Sequence, residues 1–101
     1  PKDTAGFLEL CKAMKANNTP AGFPHGKAVG DGNNYAHWLL WSHGAQMVNE
    51  KGEITINSPE TLAALNYAKQ LYATFIPGTE SWLGINNNRA FLAGQVSLTA
   101  N

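Results

Sequence analysis

Residues 30–44 read Gly-Asp-Gly-Asn-Asn-Tyr-Ala-His-Trp-Leu-Leu-Trp-Ser-His-Gly, and no other stretch constrains the fold as strongly. Tyr35, Trp38, Leu39, Leu40 and Trp41 fall within seven positions. With Asn33 or Asn34 as cap, residues 34–43 are predicted as a helix ended by Gly44, its apolar side chains spread around the axis instead of along one stripe. Such a helix is buried on most sides, or buried on one side and used for binding on another. The chain must therefore supply further elements to pack around it. The Gly-rich run just before it has the composition of a polar binding surface.

A chain of 101 residues is at most one ordinary domain, large enough for a modest core. Its 44% hydrophobic and 14% charged residues fit a globular protein. Seven basic and seven acidic residues cancel and are interspersed. No basic face is visible, so a nucleic-acid partner is not expected. No apolar run approaches the ~20 residues of a membrane span. Cys11 is the single cysteine, which excludes an internal disulfide without fixing the compartment. There is no signal segment, and both ends look cut, so the chain reads as a piece of a larger protein whose targeting sequence lies elsewhere.

Along the chain, a first helix is predicted from Asp3 or Thr4 to Ala16. Phe7, Leu10, Cys11 and Met14 form one apolar stripe, and Asn17-Asn18-Thr19-Pro20 is the stop. Cys11 falls on the inward face and reads as core. Ala21-Gly22-Phe23 reads as a short buried strand closed by Pro24, and residues 24–32 as a loop. After the aromatic helix, Gln46-Met47-Val48 and Glu53-Ile54-Thr55-Ile56 flank a turn with Gly52, a small hairpin. Ser58-Pro59-Glu60 opens the longest helix, with Ser as cap and Pro at the first helical position. Leu62, Leu65, Ala68, Leu71, Tyr72 and Phe75 carry its stripe to a stop at Pro77-Gly78. Asn86-Asn87-Asn88 caps a short helix over residues 89–93, and Gln95-Val96-Ser97-Leu98-Thr99 alternates as a closing strand. The fold class is α/β: a mostly helical lobe with a few short strands and a small β-hairpin.

Catalytic and metal signatures are missing from this pattern. His37 and His43 are separated by about 240° on a helix and do not converge, and His25 with Asp31 lacks further ligands, so neither a metal nor a cofactor is expected. There is no nucleophile elbow, phosphate loop or Ser-His-acid spacing. Asp31 has only Glu80 as a candidate carboxylate partner for hydrolysis, so the chain reads as non-enzymatic. The aromatics divide. Trp38 and Trp41 are assigned mainly to core, Tyr35 stands beside the polar loop, and Trp82 lies in a polar segment with no periodicity to bury it. A flat ring beside Asn, Asp and His suits a polyhydroxylated ligand, whose C–H face packs on the ring while its hydroxyls bond amides and carboxylates.

The order of elements adds a resemblance over essentially the whole chain. The helix containing Phe7-Leu8-Glu9-Leu10-Cys11 and the aromatic helix are followed by the hairpin Gly52-Glu53-Ile54-Thr55-Ile56-Asn57. Then come Ser58-Pro59-Glu60-Thr61 and Asn88-Arg89-Ala90-Phe91-Leu92-Ala93-Gly94-Gln95-Val96-Ser97-Leu98. This arrangement resembles the bacterial extracellular solute-binding proteins of ABC importers, in the sugar-binding group related to maltose-binding protein. The resemblance implies that residues 1–101 are part of the second α/β lobe of a two-lobe protein, which takes up solute in the cleft between lobes and delivers it to importer membrane subunits. It implies a periplasmic or extracellular location, with a lipid anchor as one option for the parent. By position, it makes Tyr35, Trp82, Asp31, Asn33, Asn34 and His25 candidate contacts to a sugar or oligosaccharide. It also implies open sheet edges and apolar faces, hence self-association. Two other readings stay open: a different small polar solute such as a polyamine, and a non-catalytic structural or protein-interaction module with the aromatic helix as its core.

Overall fold

The computed structural model describes residues 1–27 and 29–101; Ala28, inside the predicted loop, lies outside the described residues. Four helices follow one another: α1 (Thr4–Ala16), α2 (Asp31–Ser42), α3 (Pro59–Tyr72) and α4 (Asn86–Leu92), with a 3-10 turn at Thr79–Ser81 between the last two. The caps explain two of them directly. The Asp3 carboxylate accepts from Gly6 N–H at 2.7 Å, and the Ser58 hydroxyl accepts from Thr61 N–H at 3.2 Å with Pro59 next in line. Each satisfies a backbone donor that the first helical turn leaves unpaired.

Helix α2 begins earlier than the sequence suggests. Neither Asn33 nor Asn34 caps it; Gly30, at φ 102° and ψ −120°, makes the turn, and Asp31 to Asn34 are already helical. That backbone conformation is open to glycine and rarely to other residues. Asp31 in the first turn then carries its charge where the helix dipole favours it. Helix α4 likewise starts at Asn86, whose side chain reaches back to accept from Leu83 N–H at 2.6 Å.

The predicted strands shrink to isolated bridges. Ala21 pairs in parallel with both Phe75 and Leu98, so three extended segments align with Ala21 in the middle. Ile76 N–H donates to Ala21 O and Gly22 N–H to Leu98 O, both at 3.0 Å. Pro20 and Pro24 lack the N–H needed to lengthen the ladder on the central segment, and Pro77 ends one neighbour. The hairpin is present: Val48 and Ile54 form an antiparallel bridge, and Asn49 Oδ1 accepts from Lys51 N–H and Glu53 N–H across the turn.

The core is formed by Leu8, Cys11, Ala21, Phe23, Tyr35, Leu39, Tyr67, Ala68, Leu71 and Phe75. Cys11 is fully buried and burial pushes its thiol pKa up, as befits a packing residue. Two expectations are corrected. On α3 the buried face is Ala64, Tyr67, Ala68 and Leu71, while Leu62 and Leu65 face out; two alanines on that face let α2 approach closely. On α2 the buried residues are Gly32, Tyr35 and Leu39, so Trp38 and Trp41, expected in the core, lie 38% and 66% exposed. Among the described residues α2 packs chiefly against α3; Trp38 keeps part of its ring on Phe7 and Tyr67, whereas Trp41 stacks on His37 of its own helix.

Trp82 closes the back of the central segment. A Cβ on Gly22 would lie 2.7 Å from the Trp82 ring and 2.9 Å from the Val96 side chain. Contacts that short force a rigid indole or the central backbone to move. Replacing Gly22 with Ala is therefore expected to destabilise the fold by about 1–3 kcal/mol, read as a lower urea midpoint with an unchanged slope. The same change at Gly44, whose surroundings are open, meets no side chain and costs only its positive φ of 75°.

Candidate functional site

A cleft of about 420 Å³ opens beside the first turns of α2. Its apolar wall is Phe7, Phe23, Tyr35, Trp38 and Leu98; Asp31, Asn34, Thr99 and Asn101 supply polar groups. The rings form a continuous surface. Phe23 stacks on Tyr35 at 5.3 Å and Tyr35 on Trp38 at 6.0 Å, with Phe7 edge-on to Trp38 at 5.5 Å. These offset and edge geometries are the favourable ones for aromatic pairs. Helix periodicity puts Asp31, Asn34, Tyr35 and Trp38 along one edge of α2 at spacings of three and four.

Asn87 holds the polar side of the cleft together. Its side chain is fully buried, and the two hydrogens of its Nδ2 are shared among Asp31 Oδ2 at 3.0 Å, Ala100 O at 3.1 Å and Asn101 Oδ1 at 2.9 Å. One amide thus ties α2 and α4 to the segment after Leu98. Asn87 Oδ1, Thr99 Oγ1 and the Tyr35 hydroxyl are buried with no hydrogen-bond partner among the described residues. Burial drives the Tyr35 pKa far up, so this phenol stays a neutral donor across the physiological range.

Of the six residues singled out from sequence, the cleft brings together Asp31, Asn34 and Tyr35. Asn33 is exposed in the first turn of α2 and does not line it. His25 and Trp82 belong to a second cluster. There, His25 N–H donates to Thr79 O at 3.0 Å, the Tyr72 hydroxyl donates to Glu80 Oε2 at 2.6 Å, and the His25 ring packs between Tyr35 and Tyr72. Gly26 lies against the Glu80 and Trp82 carbonyls, where a Cβ would come within 2.8 and 2.9 Å. Asn87 and Trp38 were not singled out for the cleft from sequence. The signal for Asn87 is its spacing: it shares the buried face of α4 with Ala90, three residues on. Among the described residues no group of three or more His, Cys, Asp and Glu is placed to hold a metal ion. Nor is any helix long and apolar enough to cross a membrane.

Compared with known proteins, the chain matches one family model, described as bacterial extracellular solute-binding protein, over residues 1–101. No curated protein and no solved structure matches it.

Two outcomes follow from the polar framework. Asn87→Ala removes a buried donor from three acceptors and is expected to cost about 1–3 kcal/mol in chemical denaturation, while Asn88→Ala, in the same triplet, stays within about 0.5 kcal/mol. His25 has its pKa lowered, first by burial, against a smaller raising effect of Glu80. The unfolded state then binds the proton more readily than the folded one. Stability is at its full value above the ordinary imidazole pKa and falls as pH drops through that value toward the depressed one. Urea midpoints measured across this window should decline for the native protein, and His25→Asn should flatten the decline.

Proposed function

Because the chain belongs to the bacterial extracellular solute-binding proteins, we propose that its solute is a carbohydrate and that the cleft at Asp31, Asn34 and Tyr35 is one wall of the binding site. The observation that carries this reading is the pairing of one carboxylate and neutral amides with a continuous aromatic wall. A pyranose lays its C–H face on rings such as Tyr35 and Trp38, and its hydroxyls donate to Asp31 and exchange hydrogen bonds with Asn34 and Asn101. The volume, about 420 Å³, lies within the roughly 300–1,000 Å³ of small-molecule sites. His25 and Trp82 support the segment from Ala21 to Gly26 from behind and do not enter this contact set.

In this reading residues 1–101 are an α/β unit of the second lobe of a two-lobe protein. A facing lobe closes by a hinge over the solute, as in periplasmic binding proteins generally, and the closed form is what an ABC importer accepts. The polyamine alternative needs several carboxylates around the rings, and the cleft supplies Asp31 alone. The packing-core alternative needs the α2 tryptophans inside, and Trp41 is 66% exposed.

One wall leaves much of a ligand hydrated, so the chain by itself is expected to bind saccharides only at millimolar concentration. Heteronuclear NMR suits that range. Titration with maltose and with cellobiose should shift the amides of Asp31, Asn34, Tyr35 and Thr99 for the disaccharide that is bound, and Asp31→Ala, which also removes one acceptor from Asn87, should abolish those shifts in a protein that still folds. Spermidine giving the larger response at the same amides, or neither disaccharide moving them, would count against a carbohydrate.

A further inference from the structure

The second cluster touches the cleft at one residue. Tyr35 lines the cleft and also meets the His25 ring at 5.4 Å. The same imidazole meets Tyr72 at 5.2 Å, so it stands as a wedge between a residue of α2 and a residue of α3. The backbone that carries it is held. His25 N–H donates to Thr79 O at 3.0 Å, and Gly26 lies so close to the Glu80 and Trp82 carbonyls that a Cβ would not fit. The side chain is therefore the part left to move. It lines a cavity of about 210 Å³ between α2 and α3, beside Tyr35, Leu39, Ala64 and Ala68, which gives the ring room to turn.

The surroundings make this wedge sensitive to a proton. Nδ1 of His25 is buried with no hydrogen-bond partner among the described residues. A neutral imidazole can leave that nitrogen as a bare acceptor at modest cost. Once protonated, the ring carries an N–H on both nitrogens, and a buried cationic donor without an acceptor costs considerably more. The titratable and charged groups facing the ring are Tyr35 from α2, Tyr72 from α3 and Glu80 from the 3-10 turn; Lys27 follows on its own segment and is exposed. Both phenols are pushed up from the ordinary tyrosine value, Tyr35 by burial and Tyr72 by its hydrogen bond to Glu80, so neither is charged at neutral or acid pH. Glu80 is the anion of this set, and the 2.6 Å bond from the Tyr72 hydroxyl favours its ionised form. A protonated ring thus loses its place between the tyrosines and has one carboxylate to turn to.

We propose that His25 is a proton-operated wedge: neutral, it braces the Tyr35 ring in the cleft wall, and on taking up a proton it swings toward Glu80 and lets that ring shift. His25 is then a positioning residue for Tyr35, and the cleft is fully formed at neutral pH and loosened in acid. Glu80 receives the cation in place of the Tyr72 hydroxyl, which turns to water. The inference goes beyond the carbohydrate reading, because it concerns the cleft wall with no solute present.

The test accordingly needs no solute. Proton NMR on the intact chain follows the His25 Cε1–H and the Tyr35 ring protons from about pH 8 to about pH 5, with His37 and His43 assigned separately. The expected result is that the Tyr35 signals move with the midpoint of His25, and that the nuclear Overhauser contact between the two rings is lost on the acid side. His25→Phe keeps a ring in the wedge with no proton to gain, and should hold the Tyr35 signals at their alkaline position throughout. Glu80→Gln removes the charge that favours the protonated ring, so the midpoints of His25 and Tyr35 should fall together to lower pH. Tyr35 signals that stay in place while His25 titrates, with the ring contact retained, would overturn the inference. So would Tyr35 signals that follow His37 or His43, or a pH response that survives in His25→Phe. Simultaneous loss of all dispersed signals would assign the effect of the proton to the fold as a whole, and would equally overturn the wedge.

Discussion

The backbone of Ala21 is bonded on both edges, to the segment after α3 through Ile76 N–H and to the segment after α4 through Gly22 N–H. Because all three segments run parallel, their chain ends emerge on the same side of this small sheet. Phe23 follows Ala21, and Thr99, Ala100 and Asn101 follow Leu98; all four line the cleft. The cleft thus lies beyond the carboxyl ends of the segments, the place where open α/β sheets gather ligands, although the strands here are reduced to single bridges. The central segment can be so short because Trp82 and Val96 seal it at Gly22, while Gly26 packs on the carbonyls of Glu80 and Trp82.

From that centre a line of rings runs outward. Phe75 contacts Phe23 at 5.2 Å, Phe23 stacks on Tyr35, and Tyr35 stacks on Trp38. The first three rings are buried, and only the outermost, Trp38, reaches 38% exposure. The core thereby fixes the orientation of the rings that face the cleft. A ring locked by neighbours has little side-chain freedom left to lose, so the rings at the cleft are held in fixed orientations by the core behind them.

The elements governed by local chemistry were legible in the sequence. Asp3, Ser58-Pro59 and the Gly52 turn act through neighbours a few residues away, and α1, the start of α3 and the hairpin stand where those signals put them, whereas α3 ends at Tyr72 and Phe75, expected on its stripe, pairs with Ala21 instead. Elements governed by distant contacts were not. The start of α2 depends on the backbone of Gly30, which composition reads only as loop. The exposure of Trp38 and Trp41 depends on how many helices pack around α2, and hydrophobicity alone cannot count neighbours. Half of the candidate contacts, Asp31, Asn34 and Tyr35, share one cleft because they sit on one edge of one helix. Trp82 drew attention as an aromatic in a polar segment, yet its ring covers Gly22, a contact sixty residues away in sequence. Asn87 looked like one of three interchangeable caps; only tertiary structure distinguishes the amide that turns inward.

The partner of Asp31 sets the chemistry of the cleft's polar side. Its carboxylate is held by the neutral amide of Asn87, and the one ion pair among the described residues, Lys12 with Glu9, is exposed on α1. A carboxylate bound to Arg or Lys has its charge offset and its lone pairs engaged, whereas an amide orients the group and leaves its charge in place. Asp31 therefore keeps an oxygen able to accept strong hydrogen bonds from hydroxyl donors. Through Asp31 Oδ2, Asn87 also links α2 to Ala100 and Asn101, so α2, α4 and the end of the central sheet share one hydrogen-bonded centre. The polar side of the cleft is thus held by one buried amide, and its apolar side by the line of rings that leads back to the core.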